Sequence, residues 1–361
     1  MRARMHAAVA CLCGLAAVSG CLLYFFVHDR RIQFPHSQFR RFAAGAATPI
    51  GACKNNTALA RTQFAFTAFL SLATPAQNYI DGAVVLARSI RRVTNLDMVL
   101  LVLGDLSNET AVLAREGWTL CPIAPIDGPV GAVHNRFVDA GIYSKLTAWN
   151  LTEYSAVLML DLDMMVLSDP TDVFTDVLPR MLAENKDLGA AMDRPAADNY
   201  PHVITGAFTN WCRPMVDSYV FNAGSLLIVP STRRFQALVR GISATRHNTN
   251  WAEQSYLNAF YGSAAFELPF AYNGNAVSIV CEPGLWRSAK IVHFTIEKPW
   301  YGHRTVDVHG IRPYRMLWEE LLARPPRAPG GAGRWDHHPS TSTRSRPHRP
   351  SWRPRPAPPT Q

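Results

Sequence analysis

Ala156-Val157-Leu158-Met159-Leu160-Asp161-Leu162-Asp163 decides the fold of this chain. Five apolar residues in succession, too few for a helix of ordinary length, read as a strand buried on both faces. The run ends in two carboxylates separated by one residue. Side chains alternate along an extended chain, so positions i and i+2 share a face. Two anionic oxygen donors at the carboxyl end of an α/β strand make a divalent-cation site, and a cation there can neutralise a diphosphate. A solvated strand end can carry the same residues, so the pair needs support from the rest of the chain.

The flanking sequence alternates strand and helix patterns. Phe64 to Leu72 is strand-like and aromatic, and Tyr79 to Arg92 reads as a helix with Ala83, Leu86, Ala87 and Ile90 on one face. Met98 to Leu103 is a buried strand, Asn108 to Glu116 a helix, and Thr119 to Ile123 a strand. Lys145 to Glu153 suits a helix before the acidic strand; Leu226 to Val229 is a further strand and Arg233 to Gly241 a helix. This order predicts a Rossmann-like α/β domain over 64–322, with a mixed, mostly parallel sheet and helices on both faces. There is no Gly-x-Gly-x-x-Gly after the first strand and no Walker loop, so ordinary dinucleotide and P-loop binding lack support.

The ends differ in composition. Residues 1–6 form a short tail. Ala7 to Val27 carries no charge, and a bilayer-crossing helix takes about 20 such residues. We expect a transmembrane signal anchor; the rival is a cleaved signal peptide, with Val18-Ser19-Gly20-Cys21 resembling a lipoprotein cleavage site. Arg30, Arg31, Arg40 and Arg41 follow the segment, so counting basic residues does not favour a cytoplasmic N-terminus. The brevity of the N-terminal tail does, which makes a single-pass type II protein of the Golgi the expectation. Residues 28–63 read as a stem. Asn55-Asn56-Thr57 and Asn108-Glu109-Thr110 are glycan acceptor sequences that fit a lumenal body. Asn150-Leu151-Thr152 falls in an expected packed helix and is the weakest of the three.

The net charge of +9 is misleading, because the tail over 323–361 holds eight arginines against one aspartate. That tail is rich in Pro, Arg, Ser and His and reads as disordered. It has no folded scaffold for nucleic acid, so no nucleic-acid partner is expected. Of seven cysteines, Cys53, Cys121, Cys212 and Cys281 lie in the body. Their spacing matches no zinc pattern. They can form two disulfides in three pairings or remain free and buried.

Four more segments put polar residues in apolar settings. Lys145 lies in Tyr143-Ser144-Lys145-Leu146-Thr147-Ala148-Trp149-Asn150. Asn222 precedes the apolar run Leu226 to Val229, and Glu253-Gln254 opens a helical pattern at Ala252. His293 ends the run from Lys290, and Lys298-Pro299-Trp300 follows. With Tyr79-Ile80-Asp81-Gly82 and the long stretch Tyr143 to Leu167, these segments resemble glycosyltransferase family 8, the glycogenin and galactinol-synthase-like group. The resemblance runs in order from about Leu70 to Trp300.

The resemblance implies a GT-A fold, a UDP-sugar donor, manganese, and transfer of a hexose with retention at the anomeric carbon. It implies that Asp161, Asp163 and His293 hold the metal, and that Lys298 meets the diphosphate. By the same pattern Leu72, Thr74 and Tyr79 contact the nucleotide, with Tyr79 stacking on uracil. Lys145 places the donor, and Leu162 contributes backbone near the ribose. Asn222, Glu253 and Gln254 match the sugar-binding set, where buried hydrogen-bonding groups reject a wrong epimer. Position 253 departs from glycogenin, which has Asp there; galactinol synthases have Glu. Asp163, Glu253, Gln254 and Lys298 are the expected catalytic set. Same-face attack by the acceptor and a covalent intermediate on Glu253 both stay open.

No tyrosine stands between Gly274 and Cys281, where glycogenins glucosylate themselves, so self-priming is not expected. The acceptor expected is a glycan, lipid or polyol. A cytosol-facing enzyme, a catalytically silent UDP-sugar-binding homologue and a nucleotide-sugar hydrolase are the competing readings.

Overall fold

The computed structural model describes residues 61–72, 76–105, 110–129, 141–193, 220–276, 285–295, 298–301 and 312–325. All of them fall within one compact unit, Thr48–Gln361. The expected anchor over 7–27, the C-terminal tail beyond 325, and the acceptor sequences at Asn55 and Asn108 lie outside the described residues. Among those described, no helix is long and apolar enough to cross a membrane.

In chain order the elements are β1 (Phe64–Ser71), α1 (Ala76–Arg91), β2 (Asp97–Leu103), α2 (Thr110–Arg115) and β3 (Thr119–Pro122). A 3-10 helix (Ile142–Asn150), β4 (Ala156–Leu160) and β5 (Met164–Val166) follow. A π-helical turn (Val173–Val177) leads into α3 (Leu178–Ala183), then β6 (Leu188–Met192), β7 (Phe221–Ile228), α4 (Thr232–Gly241) and α5 (Ala252–Tyr261). The chain closes with β8 (Phe266–Glu267), β9 (Gly274–Asn275), β10 (Ile291–His293) and α6 (Arg312–Ala323).

Seven strands form the main sheet in the order β3-β2-β1-β4-β7-β6-β8. Strands β3, β2, β1 and β4 run parallel, β7 is antiparallel to both of its neighbours, and β8 pairs parallel with β6. The expected mixed, mostly parallel sheet is therefore present. Its apolar strands read as unbroken runs because both faces are covered. Phe66, Ala68 and Leu70 of β1, Leu100 of β2 and Leu158 of β4 face α1 and α3, with Ile80, Leu86, Ile90 and Met181. Ala65, Phe69, Leu101 and Val157 face the opposite side, with Trp149, Leu238 and Tyr256. A third cluster packs α6, through Tyr314, Trp318 and Leu321, against Met165 and Val292 of a smaller sheet. That sheet has the order β5-β10-β9.

Two local expectations change. The segment around Lys145 is a 3-10 helix from Ile142 to Asn150, not a helix from Lys145 to Glu153; every residue from Tyr143 to Asn150 is buried, so it has no polar face. Asn150 accepts from Thr232 Oγ1 at 3.0 Å and is buried, which fits its poor standing as a glycan site. Strand β7 begins at Phe221, so Asn222 lies inside it rather than before it. The short strands β5 and β6 have no clear signature: β6 is Leu-Gly-Ala-Ala-Met, and small residues carry little strand propensity.

Cys121, at the buried third position of β3, is disulfide-bonded, so the body cysteines are not all free thiols. It is the one cysteine among the described residues, and its partner lies outside them.

Candidate active site

The carboxyl end of β4 meets the amino-terminal part of the antiparallel β7. Their register pairs Leu160 with Ser225, and the Asp161 nitrogen donates to the Gly224 oxygen at 2.8 Å. Past Asp161 the chain turns, with Met164 N donating to Asp161 O at 3.1 Å, and enters β5. Strand β10 pairs antiparallel with β5 and sets His293 opposite Met164, next to Asp163. The small sheet is thus what carries His293 to residues 130 positions earlier in the chain.

One ligand atom from each of Asp161, Asp163 and His293 lies within 4.8 Å of the others. His293 Nε2 is 3.4 Å from Asp163 Oδ1. Asp163 and His293 are buried, and Asp161 is partly open. Two carboxylate oxygens and one imidazole nitrogen form a donor set that fits a divalent cation such as manganese.

Two lysines flank the carboxylates. Lys145 Nζ lies 2.7 Å from Asp161 Oδ1 and 2.9 Å from Glu253 Oε1. Lys298 Nζ is ion-paired with Asp163 Oδ2. Burial raises the Asp163 carboxyl, but the Lys298 and His293 charges outweigh it and hold Asp163 well below the usual carboxylate range. Burial works against the charged form of Lys298 as well, and Asp163 overrides it, so its pKa is raised. Glu253 is raised: burial dominates, Lys145 opposes it and Asp161 adds to it.

A polar set lies beside these charges. Gln254 Oε1 accepts from the backbone nitrogen of Ala223 at 3.0 Å, and its Nε2 donates to Asp193 Oδ2 at 3.0 Å. Asn275 Nδ2 donates to Asp193 Oδ1 at 3.1 Å, and Thr295 Oγ1 to Asn275 Oδ1 at 2.6 Å. Asn273 bridges Asn222 and His293 at 3.0 Å each. Asp193, Asn273, Asn275 and Thr295 were not anticipated from sequence. The tetrapeptide Phe270-Ala271-Tyr272-Asn273, which places an amide after two aromatics, was the available signal for Asn273.

The structure therefore brings together Asp161, Asp163, His293, Lys298, Lys145, Glu253, Gln254 and Asn222. Tyr79 is partly buried on α1, with its ring edge-on to Trp300 at 5.1 Å, which ties it to the Lys298-Pro299-Trp300 segment. Leu72 follows β1 and donates its backbone nitrogen to Leu103 O at 3.0 Å. Leu162 packs in the core, and its carbonyl oxygen lies over Gly82, where a Cβ would come within 2.5 Å of it. Thr74 lies outside the described residues.

No family model matches the chain. In sequence it is 27% identical over 243 residues to galactinol synthase 1 of Ajuga reptans, covering 62% of this chain and 70% of that protein. It is 26% identical over 254 residues to glycogenin-1 of Caenorhabditis elegans, covering 66% of this chain and 52% of that one. Among solved structures, the WbbM bifunctional glycosyltransferase shares the fold, with a TM-score of 0.51 at 16% identity over 75% of this chain and 51% of that chain. The chain is thus a glycosyltransferase, and its relatives are the galactinol synthases and glycogenin of glycosyltransferase family 8.

Proposed function

We propose that the chain is a retaining, manganese-dependent hexosyltransferase that moves a sugar from a UDP-sugar to a glycan, lipid or polyol acceptor in the secretory pathway. The observation that carries this reading is the convergence of Asp161, Asp163 and His293, with ligand atoms within 4.8 Å of one another, beside an array of amides. Manganese bound by those three residues supplies charge neutralisation for the diphosphate. Lys298 adds a compact cation at the same place and stabilises the charge of the departing UDP. Asn222, Gln254 and the Glu253–Lys145 pair orient the donor sugar.

The bond that breaks joins the anomeric carbon to the UDP oxygen, and the bond that forms joins that carbon to the acceptor oxygen. The acceptor proton passes to the departing phosphate oxygen. Gln254 has its carbonyl oxygen engaged by Ala223 N and its amide nitrogen by Asp193, so it serves as a strut rather than a nucleophile. Glu253 is ion-paired with Lys145, and a covalent route through it requires the carboxylate to leave that pair. Both observations favour same-face attack.

The lumenal placement, with a cytoplasmic tail over 1–6, an anchor over 7–27 and a stem over 28–63, rests on the sequence. The disulfide at Cys121 supports it, since disulfides persist in oxidising compartments. The galactinol synthase relatives favour a polyol among the acceptors.

The test is a panel of UDP-sugars with manganese, read as equilibrium binding and as UDP release with and without acceptors. The reading expects at least one UDP-sugar to bind and an acceptor-dependent product to form. Binding of a different nucleotide and no UDP-sugar overturns the donor assignment. Turnover on water alone, with no acceptor product, favours the hydrolase.

A further inference from the structure

Donors and acceptors at the site can be assigned from one group whose role is fixed. The backbone nitrogen of Gly224 lies 2.9 Å from Asn222 Oδ1 and can only donate, so that atom of Asn222 is its carbonyl oxygen. The same oxygen lies 3.0 Å from the side-chain amide of Asn273, and an oxygen there requires a donor, Nδ2. The remaining branch of Asn273 is then its oxygen, which lies 3.0 Å from His293 Nδ1. An amide oxygen only accepts, so Nδ1 carries a proton. With Nδ1 committed to its proton, Nε2 is the ring nitrogen that can offer a lone pair to a metal. Nε2 is the atom directed at Asp163. Asn222, Asn273 and His293 are all buried, so water does not compete for these bonds.

We propose that Asn273 is a positioning residue that holds a proton on His293 Nδ1 and so leaves Nε2 as the nitrogen that can bind a metal, and that the same amide orients Asn222 toward the donor sugar. The inference deepens the metal and UDP-sugar reading and rests on it. Asn222 has its oxygen occupied by Gly224 and Asn273, so the group it has left for a ligand is its NH2. Such a group recognises a sugar oxygen as an acceptor. One side chain thereby links the metal ligand to the sugar pocket, and a backbone N–H sets the polarity of the whole relay. Gly224 also leaves room for the imidazole, because a Cβ there would collide with His293 Cε1 and Nδ1.

Asn273→Leu removes both hydrogen bonds at similar volume. Outer-shell partners of metal ligands typically account for about 10- to 100-fold in metal affinity, and a loss in that range is expected for Mn2+ binding, read from the electron paramagnetic resonance of free Mn2+. Circular dichroism checks that the variant is folded. Asn273→Asp keeps an acceptor for His293 and loses the donor to Asn222. It is expected to restore Mn2+ binding while weakening UDP-sugar binding relative to UDP. The 15N spectrum of the histidine-labelled unaltered chain, with the His293 signals assigned by their loss in His293→Gln, is expected to show Nδ1 protonated. Undiminished Mn2+ affinity in a folded Asn273→Leu, or an Nδ1 without a proton, overturns the proposal. If Asn273→Leu does not fold, the Nδ1 proton and the Asn273→Asp result decide. If the unaltered chain binds no Mn2+, the metal reading fails, while the 15N measurement still decides the relay.

Discussion

Lys145 Nζ lies 2.9 Å from Glu253 Oε1, across 108 residues of sequence, and both side chains are buried. The same ammonium is 2.7 Å from Asp161 Oδ1, so one cation serves two carboxylates. Burial alone would lower the lysine, but the two negative charges raise it above its ordinary range. This pairing joins the 3-10 helix, the end of β4 and the start of α5, the three places from which the site is assembled.

Removing the cation strands a buried carboxylate. Lys145→Met is expected to lower stability by about 3–5 kcal/mol, whereas Lys145→Met combined with Glu253→Met recovers much of that loss. Urea unfolding of Lys145→Met, Glu253→Met and the double variant measures it. A loss in the double variant equal to the sum of the two single losses would mean that the pair is not coupled.

The pH dependence follows from opposite shifts. Asp163 is lowered, so the stability it contributes is full above its ordinary pKa of 3.8 and is lost as pH falls below that. Glu253 is raised, so its burial costs stability as pH rises from its ordinary 4.5 through its folded value. Glu253→Gln is expected to remove this slope and Asp163→Asn the steeper loss in acid. Unfolding midpoints between about pH 3 and about pH 8 check both signs.

Gly82 and Gly224 are required by close approach. A Cβ at Gly82 would lie 2.5 Å from the Leu162 carbonyl oxygen, in the turn between the two aspartates. A Cβ at Gly224 would strike the His293 ring. Each alanine variant is expected to lose Mn2+ affinity, with a stability cost of about 1–3 kcal/mol from overpacking. Calorimetric metal titration checks the first effect and thermal unfolding the second.

Arg88 joins the C-terminal helix to the domain. Its guanidinium binds Glu116 at 2.5 and 2.9 Å and donates to the carbonyls of Leu321, Leu322 and Arg324. Arg88→Met leaves Glu116 as a buried, uncompensated charge and uncaps α6, a loss of about 3–5 kcal/mol. Limited proteolysis near residue 312 is expected to accelerate in that variant. An unchanged cleavage rate would place α6 under the control of its apolar contacts alone.

Asp163→Asn keeps the shape of the side chain and removes its charge. Transfer is expected to fall by more than about 100-fold in kcat/KM while the chain stays folded. Acceptor-dependent UDP release and circular dichroism test it together; normal turnover would sink the role given to Asp163.

The acidic strand and the main alternation of strands and helices were legible in the chain because each is a local pattern, whereas the residues that converge at the candidate site were named from the family resemblance. Ala156 to Leu160 is the observed β4, and His293 ends β10 as read. Asp193 and Asn275 gave no such signal. Each is a polar residue at or just past the end of a short strand, in different sheets, and only the folded chain brings them within 3.1 Å. The 3-10 helix was misjudged for a related reason: burial on all sides erases the amphipathic period that a helix reading depends on.

By itself the sequence determined the α/β alternation, the two carboxylates on one strand end, and the residue types that charge and hydrogen bonding require at such a site. Those follow from side-chain period and local chemistry, which a linear reading contains. The tertiary structure decided which of these groups share partners. The antiparallel register of β4 with β7 and of β5 with β10 set Gly224 beside Asp161 and His293 beside Asp163, and the Asn273 amide bridges His293 to Asn222. Register between distant strands is a property of the packed sheet, so the Nδ1 proton of His293 and the orientation of Asn222 were fixed only when the sheet closed around them.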